Sequence, residues 1–246
     1  MRLRPALRLV VLICTGLAIQ PSLAASLCPE VPRPRLTLPA MREALRRGEP
    51  LVIVAVGSSS TRGAAASDAA HTYPAILQVE LQRRLPMTHV AVINRGLDGQ
   101  DAVEELARFD SDVAAVRPQL VIWQVGANAA LRDADPAVFR ATVGAGVRWL
   151  HQPGRDVILM DNQRSPRVLA TPHRRDIEQA LAQAAEAGKV PFFSRGQLMD
   201  RWQVAGYPYQ QFISPDGLHH NDLGYRCLAE AIALSVLEAM RAPGAP

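Results

Sequence analysis

The chain has 246 residues and a formal charge of +4, with no dense cluster of Lys and Arg interleaved with aromatics, which argues against nucleic acid as a partner. Three arginines fall in the first eight residues, so the chain beyond that stretch carries only +1 and the basic balance is partly a property of the N-terminus. About 222 residues follow the first 24, enough for one sizeable core.

Arg2, Arg4 and Arg8 precede an apolar run from Leu9 to Ile19, then Gln20, Pro21 and the small residues Ser22, Ala24 and Ala25. This pattern predicts an export signal over residues 1–24, cleaved after Ala24, and a periplasmic or secreted protein. The run is about half of the roughly 20 apolar residues a span requires, so no stable membrane span is expected after cleavage. Leu27 precedes Cys28 where a lipid-anchor signal needs a small residue. Residues 25–50 read as an N-terminal arm, with Pro29, Pro32 and Pro34, followed by a short helix from Pro39 to Arg47; residues 51–242 read as the main domain.

The first strand is the apolar run Leu51 to Val56, which stops at Gly57 and opens into Ser58, Ser59, Ser60 and Thr61. Apolar positions predict a helix from Thr72 to Leu85 and a second strand from His89 to Ile93, which ends in Asn94-Arg95-Gly96-Leu97-Asp98-Gly99. A helix over Asp101 to Phe109 leads to the strand Leu120–Gln124, closed by Val125-Gly126-Ala127-Asn128. A helix from Pro136 to Leu150, marked by Asp135, precedes the strand Val157–Met160 and its polar exit loop, which holds Asp161 and Gln163. The helix Pro172–Ala187, a short strand around Val190 to Phe193, a helical turn at Gln197–Trp202, the loop Pro215 to Asn221 and a long helix to about Met240 complete the chain. Strand and helix alternate five times without internal repeats. This predicts an α/β fold, a three-layer α/β/α sandwich around a five-stranded parallel sheet with flavodoxin-like winding.

Cys14 lies in the signal, leaving Cys28 and Cys227. Two readings stay open: a disulfide tying the arm to the last helix, or a free thiol at Cys28 and a small apolar core residue at Cys227.

In a parallel sheet, the loops after the first three strands emerge on one edge, where ligands bind. A serine, a glycine that exposes main-chain N–H groups, an asparagine amide, and a histidine with an acid three residues before it are the components of an acyl-transfer site. In this order and spacing, from about Leu51 to Met240, the chain resembles the SGNH (GDSL-like) hydrolases. Gly57-Ser58-Ser59-Ser60-Thr61 stands where that family has Gly-Asp-Ser-Leu-Thr, Asn94 to Gly99 matches Asn-x-Gly-x-x-Gly, Gly126-Ala127-Asn128-Ala129 resembles Gly-x-Asn-Asp, and Asp216-Gly217-Leu218-His219 matches Asp-x-x-His. Ser58 and Ala129 each replace an aspartate of the family pattern, and the three adjacent serines leave the nucleophile to be decided by position alone.

The resemblance implies a serine ester hydrolase with Ser59, Asp216 and His219 as catalytic groups and with Ser59, Gly99 and Asn128 as oxyanion donors, acting without metal or organic cofactor. Its substrate would be a small-molecule or polysaccharide ester, short-chain or O-acetyl; lysophospholipid or thioester hydrolysis and acyl transfer to a carbohydrate hydroxyl are the alternatives. Asp161 and Gln163 have two readings, as substrate-cleft residues or as scaffold hydrogen bonds. His220 reads as a surface or cleft-rim histidine rather than half of a metal pair, because no complementary ligand spacing accompanies it. Tyr207, Tyr209 and Phe212 are expected to shape the pocket.

Overall fold

The computed structural model describes residues 27–241; the export signal, its cleavage point and Cys14 lie outside them. In chain order the elements are α1 Pro39–Arg46, β1 Leu51–Gly57, α2 Ser59–Arg62, α3 Tyr73–Arg84, β2 Val90–Gly96, α4 Ala102–Ala107, β3 Leu120–Gln124, α5 Ala127–Leu131, α6 Pro136–Leu150, β4 Asp156–Met160, α7 Pro166–Leu169, α8 Arg174–Ala187, β5 Phe192–Phe193, α9 Arg195–Val204 and α10 Asp222–Arg241. All four strand pairings are parallel and the order is β2-β1-β3-β4-β5. The winding is flavodoxin-like: the chain first moves outward to β2, then reverses across β1 to β3, and the crevice at such a reversal is the ligand site of open α/β sheets.

Both sheet faces are covered, which explains why the strands read as unbroken apolar runs rather than alternating ones. Ile53, Ala55, Leu120, Ile122, Ile158 and Met160 point into one core, closed by α1, α3, α9 and α10. Val54, Val56, Val121, Trp123, Val157 and Leu159 point into the other, closed by α4, α6 and α8. Among the described residues no helix is long and apolar enough to cross a membrane.

The sequence periodicity misplaces several element ends for identifiable reasons. The helix expected to reach Phe109 stops at Ala107, and a wide turn at Asp110–Ala114 follows; this lets the buried Phe109 ring pack edge-on against Trp123, 5.1 Å away. The helical turn near Gln197 is a full helix, α9, because the Ser194 hydroxyl caps it at the Gln197 N–H. The short helix α7 begins at Pro166 behind the capping Ser165.

Cys28 and Cys227 are bonded, so the disulfide reading holds and the free-thiol reading does not. The bond joins the irregular segment before α1 to α10. Arg33 adds an ion pair to Glu238, and Arg201 donates to the Pro32 carbonyl, fixing the same segment at two more points.

Candidate active site

β1 and β3 end in register, with Gly57 opposite Gln124. The Gln124 side chain is buried at that end, and its Oε1 accepts from Ser58 N (3.2 Å), Ser58 Oγ (3.2 Å) and Thr61 Oγ1 (3.1 Å). One carbonyl oxygen thus fixes the turn on both sides of Ser59. The three adjacent serines are separated by this geometry: Ser58 is spent on Gln124, Ser60 is buried, and Ser59 is the half-exposed one whose Oγ lies 2.8 Å from His219 Nε2. Ser59 also holds the first position of α2, where a main-chain N–H has no acceptor within the helix.

The second loop is drawn close to the helix that carries Ser59. A Cβ on Gly96 would lie 2.0 Å from the Arg62 nitrogen, so only glycine lets β2 approach the helix that carries Ser59. Gly99 sits at φ +74°, in the left-handed region that favours glycine. Leu97 N donates to the Gly57 carbonyl, which ties this loop to the end of β1. Asn128, at the start of α5, donates from Nδ2 to the Gln100 carbonyl at 2.7 Å, leaving its second amide hydrogen free of that bond. Arg132 donates to the Gly99 carbonyl and to Asp101, and Asp101 caps α4 in a reciprocal pair with Glu104. Asp98 is paired with Arg62.

His219 arrives on a loop between two connected segments. Its Nδ1 lies 2.6 Å from Asp216 Oδ2, while Asp216 Oδ1 accepts from Ser214 Oγ (2.6 Å), Leu218 N (2.8 Å) and His219 N (3.0 Å). Burial on its own would raise the Asp216 carboxyl, but those four donors outweigh it and hold it well below the usual carboxylate range. An ionised carboxylate accepts only, so Nδ1 of His219 donates to it, and in the neutral imidazole this leaves Nε2 as the acceptor for the Ser59 hydroxyl.

Other side chains fall elsewhere. Asp161 and Gln163 are buried and do not line a cleft: Asp161 accepts from Ser194 Oγ and Gly196 N, and burial raises its carboxyl to about 6. Gln163 accepts from Arg195 Nη2 and donates to the Leu218 carbonyl, both at 2.7 Å, so it braces the histidine loop from behind. His220 is fully buried rather than at a rim; its Nδ1 faces the Phe212 carbonyl, and burial lowers it to about 3. Phe212 packs on Trp202 and Tyr209 donates to Asp200, so both brace α9 rather than shape a pocket; Tyr207 is exposed.

Gln124 and Ser214 were not singled out from the sequence. A glutamine that ends a strand of Leu, Val, Ile and Trp was a readable signal, since a buried amide needs partners. So was Ser214-Pro215-Asp216, a turn sequence just ahead of the histidine.

Several known proteins are similar to this chain. Esterase TesA of Pseudomonas aeruginosa is 27% identical over 132 residues, which take in 52% of this chain and 60% of that protein. A two-domain esterase active on acetylated mannans superposes with a TM-score of 0.72 at 23% identity, over 85% of this chain and 55% of its own. An acetylxylan esterase, Axe2 of Geobacillus stearothermophilus, gives 0.63 at 23% identity, over 76% of this chain and 94% of its own. The chain thus spans a little over half the length of the first two. The sequence model of the non-GDSL lipase-like family matches residues 24–242, and the chain belongs to that family, within the SGNH/GDSL-type hydrolases.

Proposed function

We propose that the protein is an exported serine esterase that cleaves short-chain or O-acetyl carboxylic esters through an acyl-enzyme on Ser59. The observation that carries this reading is the continuous path Ser59 Oγ–His219 Nε2–His219 Nδ1–Asp216, with contacts of 2.8 and 2.6 Å. Ser59 Oγ passes its proton to His219 Nε2 as it bonds to the ester carbonyl carbon, and Asp216 stabilises the imidazolium that results. The charge that develops on the carbonyl oxygen is met by the N–H groups of Ser59 and Gly99 and by the free amide hydrogen of Asn128. When the intermediate collapses, His219 returns the proton to the departing alcohol. Water then repeats the sequence on the acyl-enzyme and frees the acid.

The likeness to esterases named for acetylated mannans and acetylxylan supports an acetyl ester on a polysaccharide. The disulfide supports export into an oxidising compartment, with residues 1–24 as the cleaved signal, 25–50 as the arm and 51–242 as the catalytic domain.

The test is hydrolysis of p-nitrophenyl acetate, butyrate and octanoate, and acetate release from acetylated mannan and xylan, by the wild-type protein beside Ser59→Ala. We expect rates that fall with acyl length, and a loss of at least about 10⁴-fold in the variant. Rates rising with chain length would point to a lipase or thioesterase. Turnover only when a sugar acceptor is supplied would point to an acyltransferase. A Ser59→Ala protein with undiminished activity would overturn the site.

A further inference from the structure

One side chain outside the four sequence blocks touches two of the segments that build the site. Arg108 follows α4 and is mostly buried, with 13% of its side chain exposed. Its Nε donates to Gln100 Oε1 at 2.6 Å and its Nη2 to the Gly57 carbonyl at 3.2 Å, while Nη1 pairs with Asp112. Gly57 is the last residue of β1, two before Ser59. Gln100 follows Gly99 directly, and its main-chain carbonyl is the acceptor that orients the Asn128 amide at 2.7 Å.

The planar guanidinium reaches these three acceptors, on three separate stretches of chain, from one rigid fork; an ammonium on a flexible stem has no such geometry. Asp112 holds the fork in place and is itself approached by Arg95 at 4.0 Å. From these contacts we infer that Arg108 is a positioning residue of the oxyanion site. It fixes the Gln100 side chain, and through the Gln100 carbonyl the Asn128 amide, against the strand end that carries Ser59. The inference rests on the reading of Asn128 as an oxyanion donor, and it gives that amide a specific mechanical support.

The experiment compares Arg108→Met, Gln100→Ala, Asn128→Ala and the double variant Arg108→Met/Asn128→Ala on p-nitrophenyl acetate. It also measures inhibition by a trifluoromethyl ketone, whose serine adduct carries an oxyanion. Asn128→Ala is expected to lower kcat by about 10² to 10³. Arg108→Met is expected to lower kcat by about 10 to 100-fold with KM changed less than about threefold, and Gln100→Ala by about tenfold, since small displacements of a positioned group are costly. Affinity for the ketone should fall in step with kcat/KM. In the Asn128→Ala background, adding Arg108→Met should cost less than about threefold, because the group it positions is gone.

Equal losses from Arg108→Met in both backgrounds would overturn the inference and leave Arg108 a structural residue. If Arg108→Met fails to fold, as judged by circular dichroism, Gln100→Ala carries the test, because it removes the same link and leaves the arginine paired with Asp112. A wild-type kcat in Asn128→Ala would overturn the oxyanion reading itself. A loss there, with wild-type kcat in both Arg108→Met and Gln100→Ala, would overturn the positioning role alone.

Discussion

Ser59 and His219 meet at 2.8 Å, but they are carried by different kinds of structure. Ser59 leaves the end of β1, a strand hydrogen-bonded on both sides, and its turn is fixed by main-chain register and by one buried amide from the neighbouring strand. No strand delivers His219. Its loop is closed by an isolated antiparallel bridge between Ile213 and His220, and its shape comes from side chains: Ser214 on Asp216, Asp216 on two main-chain N–H groups, and Gln163 on the Leu218 carbonyl. Ser59 inherits its position from the sheet, whereas His219 is positioned by a polar network that single substitutions can take apart.

The most severe challenge to that network is Asp216→Asn. The amide still accepts hydrogen bonds but no longer favours a proton on His219 Nδ1, and we expect kcat to fall by about 10⁴ with little change in KM. A fall below about tenfold would mean that the loop holds His219 in the right tautomer without the carboxylate.

Gln163→Ala tests the brace from behind. It strands the Leu218 carbonyl and one nitrogen of the buried Arg195, so a loss of about 1–3 kcal/mol in urea unfolding is expected, together with about a tenfold lower kcat. Lost stability with unchanged kcat would show that the Asp216 contacts alone position the histidine.

The smallest effect is expected on the Ser59 side, from Glu105→Gln. Glu105 is fully buried on α4, which follows the loop of Gly99; it accepts from Trp123 Nε1 at 2.7 Å and is pushed by burial up to about 8. The native carboxyl keeps its proton as pH rises from the ordinary carboxylate range toward 8, whereas the unfolded chain has already lost it. Unfolding therefore releases a proton in that window, and wild-type stability falls as pH rises. The amide in the variant does not titrate, so the variant should gain on the wild type between about pH 5 and about pH 8, by at most about 1.4 kcal/mol per pH unit. A pH-independent difference in unfolding free energy would mean that Glu105 is not held protonated.

The same contrast explains what the sequence could reveal. Unbroken apolar runs located β1, β3 and β4, and polar residues at their ends located Ser59 and Asn128, because strand periodicity and strand ends are local properties. The Asp216-Gly217-Leu218-His219 spacing was legible because the carboxylate reaches the histidine within a single turn. Arg108 was opaque as a support, and for Gln124 and Gln163, readable as a buried amide and as a scaffold residue, the partners were opaque, since each reaches a partner 32 to 66 residues away and nothing in the local pattern sets those pairings. His220 was misread for a related reason: its neighbour faces Ser59, yet the bridge turns His220 the other way, into the core.

The bond between Cys28 and Cys227 has a mechanical consequence. It closes a covalent ring that contains every strand of the sheet and all helices from α1 to the start of α10, across a sequence separation of 199. Tension applied to the chain before Cys28 and after Cys227 would cross from one to the other through sulfur, bypassing the sheet. Only the rest of α10 could be peeled away. The loops of Ser59, Gly99, Asn128 and His219 lie inside the ring and would carry none of the load, so they should stay assembled under a pull that would unravel the reduced chain.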